Sequence, residues 1–159
     1  MATTGYAADF EFCWIGNGGY VMSGRMTVPD QSLTRAVVTE SDVTAFSISG
    51  TRNGAPIGSW SLSDATATTS WNLNFDPVAM EFLTGGYSTT PNGQQWNANG
   101  AVNDCGASGF GFNSGGGGQD VCVKNIYRTE SIIDAATPFP VYPLGTGPTC
   151  SSAPLLGSL

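Results

Sequence analysis

The chain has 159 residues, with Lys and Arg numbering 5 against 12 Asp and Glu, no histidine, and a formal net charge of −7. That balance repels phosphate backbones and anionic lipid, which argues against nucleic acid and membrane-surface partners. The lack of histidine excludes Ser-His-Asp and Cys-His catalysis and His-based metal sites.

Charged residues make up 11% of the chain, under half of the usual globular share of about 25%. Gly, Ser, Thr and Asn take their place, the look of an extracellular β-protein. The length suits one domain with its own core. No apolar run approaches the roughly 18 residues that span a bilayer, so membrane insertion is not expected. The N-terminus, MATTGYAADFEF, has no basic stretch followed by an apolar one. A secreted chain would therefore have lost its signal, whereas a virion component released by lysis needs none.

Residues 1–8 read as a small, polar lead-in. From Asp9 to Ile15, Phe10, Phe12 and Trp14 alternate with Glu11 and Cys13, the period of a half-buried strand. Gly16-Asn17-Gly18-Gly19 supplies a hairpin turn. Tyr20, Met22, Met26 and Val28 then continue with period two, opposite Val21, Ser23, Arg25 and Thr27, until Pro29-Asp30. These two strands are predicted to pair antiparallel.

Residues 31–41 hold the one plausible helical turn, although Val37, Val38 and Thr39 are β-branched. Val43 to Thr51 is a third strand, with Phe46 and Ile48 on one face. Asn53-Gly54 closes it, the strongest short hairpin signal here, and Ile57 to Leu62 returns carrying Trp60. Trp71, Leu73 and Phe75 alternate with Asn72 and Asn74, and Met80 to Thr84 follows Asp76-Pro77.

From Gly85 to Gly100 the chain is Gly, Asn, Gln and Thr, out of which Tyr87 and Trp96 stand. Next comes Cys105 to Cys122, CGASGFGFNSGGGGQDVC, too rich in glycine for a helix. It reads as a hairpin or Ω-like loop held by a disulfide. Closing a loop of roughly 15 residues is worth about 3 kcal/mol in the chain-entropy model. Val121 to Tyr127 is the last good strand, and the Pro-rich residues 134–159 read as an extended tail.

Eight to ten short strands with turn signals imply an all-β fold, an antiparallel β-sandwich of jelly-roll or Ig-like type over residues 1–133, or else a small β-barrel. Four cysteines without CxxC spacing read as two disulfides in an oxidising compartment. Of the three pairings, Cys105 with Cys122 and Cys13 with Cys150 is favoured, the second clasping the tail to the first strand.

Three kinds of site are conceivable. Tyr87, Trp96, Phe110 and Phe112, set among Gln94, Gln95 and Asn97, suggest a platform on which sugars stack while amides read hydroxyl groups. Asp104 and Asp120, with Asn103 and Gln119, could converge as hard oxygen ligands for Ca2+, although no DxDxDG loop is present. No other cofactor is implied. Glu11, Glu40, Glu81 and Glu130 are available for carboxylate hydrolysis of glycosides, but no ExDxxE pattern occurs, and no GxSxG elbow offers a serine nucleophile.

The strand DFEFCWI, its glycine turn, GYVMSGRMTV and the VTAFSIS strand with its tryptophan return resemble the β-rich body of bacterial secreted proteins of the PEP-CTERM and VPLPA-CTERM sorted kind. The likeness covers about the first half of the chain, and the closing CSSAPLLGSL carries no sorting motif. It implies a surface or matrix location more than an activity.

The function expected is a non-catalytic interaction module, extracellular or at the cell surface, binding glycans or neighbouring surface proteins. The alternatives are a self-assembling subunit of a filament, matrix or virion, and a carboxylate-based glycoside hydrolase.

Overall fold

Alternating sequence becomes sheet along most of the chain in the computed structural model, which describes residues 5–151. The first half of the expected lead-in and the chain end after 151 lie outside the described residues. Among the described residues thirteen strands form: β1 Ala7–Ile15, β2 Tyr20–Pro29, β3 Val38–Thr39, β4 Ala45–Arg52, β5 Ala55–Ser61, β6 Ser70–Asn72, β7 Asn74–Asp76, β8 Glu81–Phe82, β9 Gln94–Asn97, β10 Phe110–Gly115, β11 Gly118–Val123, β12 Ile126–Tyr127 and β13 Phe139–Pro143. Residues 31–41 divide between both readings: 3-10 turns at Asp30–Thr34 and Glu40–Asp42 flank the two residues of β3. Among the described residues no helix is long and apolar enough to cross a membrane.

The strands make two antiparallel sheets, one of eight in the order β3-β7-β8-β13-β1-β2-β4-β5 and one of five in the order β12-β11-β10-β9-β6. The chain passes from the small sheet to the large one at Leu73, between β6 and β7, where this fully buried side chain marks the corner. The two sheets face each other as an antiparallel β-sandwich. Phe12 and Phe46 of the large sheet lie 5.7 and 4.9 Å from Trp96 of the small one, and Trp14 lies 5.4 Å from Phe112. Such tilted and edge-on aromatic pairs add about 0.5–1.5 kcal/mol each beyond their burial.

Two glycines permit this packing. A Cβ on Gly24 would fall 2.3 Å from the Phe12 ring, and one on Gly50 would fall 2.1 Å from the Phe110 ring. Each aromatic therefore lies directly on strand backbone, which a side chain would block.

The stretch read as an extended tail returns to the sheet. Phe139–Pro143 runs between β8 and β1, with Phe139 opposite Phe82 and Val141 opposite Phe12, and both Phe139 and Val141 are buried. Pro140 sits between these apolar residues and Pro143 ends the strand, so inward burial holds it despite two missing N–H donors. Disulfides join Cys13 to Cys150 and Cys105 to Cys122, the pairs favoured from the sequence.

Candidate binding groove on the outer face of the large sheet

The aromatic platform expected around Tyr87 to Phe112 is not a surface. Trp96, Phe110 and Phe112 are fully buried, and Trp96 is the centre of the core, ringed by Phe12, Phe46, Phe82, Phe112 and Phe139 at 4.9 to 6.0 Å. No sugar can stack on a ring that other rings enclose. Only Tyr87 is exposed, at 73%.

Of the amides expected to read hydroxyl groups, Gln94 serves the backbone instead. Gln94, fully buried, accepts from Asn74 N–H at 3.1 Å and donates Nε2 to the carbonyls of Asn74 and Leu83, both at 2.8 Å. It thus closes the gap where short strands leave main-chain groups without ladder partners. Gln119 joins a side chain to the backbone farther along, accepting from Trp14 Nε1 at 2.9 Å and donating to the Thr137 carbonyl at 2.6 Å.

Gln95, Asn113 and Asp120 form a row on the far face of the small sheet, opposite the core row of Trp96, Phe112 and Val121. All three are buried, as is Asn97, which donates to Asn113 Oδ1 at 2.8 Å. The segment from 98 to 109 reaches this face at Asn113 and Cys122. It is held down by Cys105–Cys122 and by the Val102 N–H that donates to Asn113 Oδ1 at 3.4 Å.

Burial pushes the Asp120 carboxyl up to about 7, against a smaller lowering by its hydrogen bond from Asn113 at 3.5 Å. The two residues expected as calcium ligands therefore sit in different surroundings. Asp104 is exposed, Asp120 is covered, and Asn103 accepts the Tyr127 N–H at 2.9 Å. Among the described residues no three Asp, Glu, His or Cys gather as a metal centre would need.

A different surface carries a better-built site. Strand pairing sets Tyr142, Glu11, Arg25, Ser47 and Ser61 in one row across β13, β1, β2, β4 and β5. Because their neighbours Val141, Phe12, Met26, Phe46 and Trp60 point into the core, the row faces outward. The next row holds Cys13, Ser23, Ser49 and Ser59.

Five serines give this face a low floor, and taller features rise at its margins. On one side stand Tyr142, Gly147, Pro148 and the Cys13–Cys150 disulfide, around a cavity of roughly 310 Å³. On the other, Asp9, Thr27, Ser63 and Leu144 bound a second cavity of roughly 530 Å³. Arg25 and Ser47 line both.

The charges in the groove are not equivalent. Glu11 accepts the N–H groups of Gly145 at 3.1 Å and Gly147 at 2.8 Å, so this carboxylate fastens the last described segment as the groove wall. Arg25 stands opposite Glu11 in the ladder, yet among the described residues it has no ion pair or side-chain hydrogen bond. Its guanidinium is exposed between the two cavities.

The other glutamates considered for catalysis are also occupied or peripheral. Glu40 accepts the Leu73 N–H at 3.2 Å, Glu130 accepts the Tyr20 O–H at 2.9 Å and pairs with Arg52 at 3.6 Å, and Glu81 lies opposite Asp76 in β8.

Sequence reasoning passed over the groove because its residues come from five separated strands. The local signal was present in FSIS and SWS, where serine takes every outward position opposite a large apolar side chain. Comparison with known proteins finds no matching family model, no matching curated protein and no matching solved structure.

Proposed function

We propose that the chain is a non-catalytic extracellular interaction module that holds a polyhydroxylated glycan in the outer groove. The observation that carries this reading is Arg25, a guanidinium without a protein partner among the described residues, standing between two adjoining cavities above a floor of serines. Each serine hydroxyl donates and accepts, as sugar hydroxyls do. The guanidinium fork binds vicinal oxygens, and the half-buried Tyr142 ring gives an apolar face at the wall. The cavities, at roughly 310 and 530 Å³, lie in the range of about 300–1,000 Å³ usual for small-molecule sites. Two disulfides support an oxidising, extracellular setting.

Assembly by strand donation has less support. The proline-rich segment already fills a place inside its own sheet, and edge strand β5 carries Pro56 and a bulge opposite Gly50 and Thr51, both of which discourage pairing with another chain. A carboxylate hydrolase has less still, since Glu11 and Glu130 are engaged by backbone and side-chain donors.

The test is an NMR titration of the labelled protein with a panel of soluble neutral oligosaccharides. The expected result is a saturable shift at Arg25, Ser47, Ser49 and Tyr142, weakened roughly tenfold in Arg25→Ala, as loss of hydrogen bonds to a charged group implies. No shift with any sugar, or shifts centred on Tyr87, would overturn the proposal.

A further inference from the structure

The chain has only five basic residues, and three of them, Arg52, Lys124 and Arg128, line one cavity of roughly 250 Å³ at an end of the sandwich. Its other walls are Tyr20, Pro56, Ile57 and Val123. In a molecule of net charge −7, three cations in one cavity make a local field opposite in sign to the whole.

Their engagement differs. Arg52 stacks over the Tyr20 ring at 4.7 Å and pairs with Glu130 at 3.6 Å. Arg128 donates Nη2 to the Val123 carbonyl at 3.4 Å while its buried Nε has no acceptor among the described residues. Lys124 is exposed and has no ion pair among the described residues. Glu130 is held below the usual carboxylate range, first by its backbone hydrogen bond and the Tyr20 hydroxyl, then by Arg52 and Arg128. It remains ionised and offsets one of the three cations.

The hairpin turn sets the placement of Lys124. It sits in the two-residue turn between β11 and β12 at φ +51°, followed by Asn125 at φ +56°. This left-handed geometry favours Gly, Asn or Asp, and a long side chain there is strained.

We propose that this end cavity binds a small ligand bearing a carboxylate on a carbon body. Lys124 and Arg128 supply the charge and the guanidinium donors that a carboxylate accepts, and Pro56, Ile57 and Val123 give the carbon body an apolar wall. The site is separate from the outer groove and does not depend on it.

Titration of the labelled full chain with glucuronate, glucose, sulfate and phosphate tests the idea. Glucuronate is expected to shift the amides of Ile57, Val123 and Lys124 saturably, with glucose inert and the inorganic anions weaker. Lys124→Gly suits the left-handed backbone, so it is expected to keep the fold while weakening glucuronate about fivefold, the scale of one exposed ion pair. Arg128→Gln serves as a second variant and is expected to weaken glucuronate likewise. Equal shifts with glucose, inorganic anions binding as tightly as glucuronate, or glucuronate affinity unchanged in both variants would each overturn the proposal. Shifts from neutral oligosaccharides at Arg25 and Ser47 report on the groove alone, so the two sites fail or succeed separately.

Discussion

Stability is expected to fall as pH rises from about 4 to about 7, and Asp120→Asn to abolish that fall. In the folded chain Asp120 is buried, and its carboxyl is raised from 3.8 to about 7 by loss of water. Below the unfolded value both states hold the proton and the residue has no effect. Between the two values the unfolded chain releases the proton and the folded chain keeps it. Unfolding is then favoured by each step up in pH. At about 1.4 kcal/mol per pH unit, the whole span takes away about 4 kcal/mol.

Above pH 7 the loss is complete and the curve is level. Urea unfolding of the wild type and of Asp120→Asn at intervals from pH 4 to pH 8 measures this directly. The two proteins are expected to differ least at pH 4, and the variant to gain on the wild type up to pH 7. Glu130, whose low value acts in the opposite sense at acid pH, is common to both and drops out of the comparison. Parallel curves would refute the assignment of a covered, water-poor carboxylate.

The disulfide Cys13–Cys150 spans 137 residues and Cys105–Cys122 spans 17, worth about 5 and about 3 kcal/mol respectively in the chain-entropy model. Removing the first as Cys13→Ala/Cys150→Ala is expected to lower Tm by roughly 10–20 °C and to free a groove wall, read by calorimetry and by weaker oligosaccharide shifts. Since Cys13 and Cys150 are half-buried while Cys105 and Cys122 are fully buried, mild reductant followed by alkylation and mass mapping is expected to label the first pair ahead of the second. Trp96→Ala is expected to cost about 3–5 kcal/mol as a core truncation, with Tyr87→Ala near neutral; urea melts in which Trp96→Ala loses less than about 1 kcal/mol would contradict its central place in the core.

Much of the large sheet is legible in the residues alone. Phe10, Phe12 and Trp14 against Glu11 and Cys13, and Asn53-Gly54 between two alternating runs, mark β1 and the β4–β5 hairpin because strand geometry turns every second side chain the same way. The cysteine arithmetic and the absence of histidine are likewise properties of composition. These fix an all-β, disulfide-held chain without a histidine site.

What composition could not reveal is which neighbours a segment meets. Gln94 to Asn97 and Phe110 to Asn113 look like an exposed platform because amides and glycines surround the aromatics. In the sandwich Gln94 satisfies main-chain groups of a broken strand ladder, Asn97 donates to Asn113, and the aromatics fill the space between the sheets. Phe139 to Pro143 looks like a loose tail until β1 and β8 leave a place for it. The row of Tyr142, Glu11, Arg25, Ser47 and Ser61, and the meeting of Arg52, Lys124 and Arg128, depend on register between strands far apart in the chain. Only tertiary pairing decides that register, since a shift of one residue would turn the serines inward and Phe46 out.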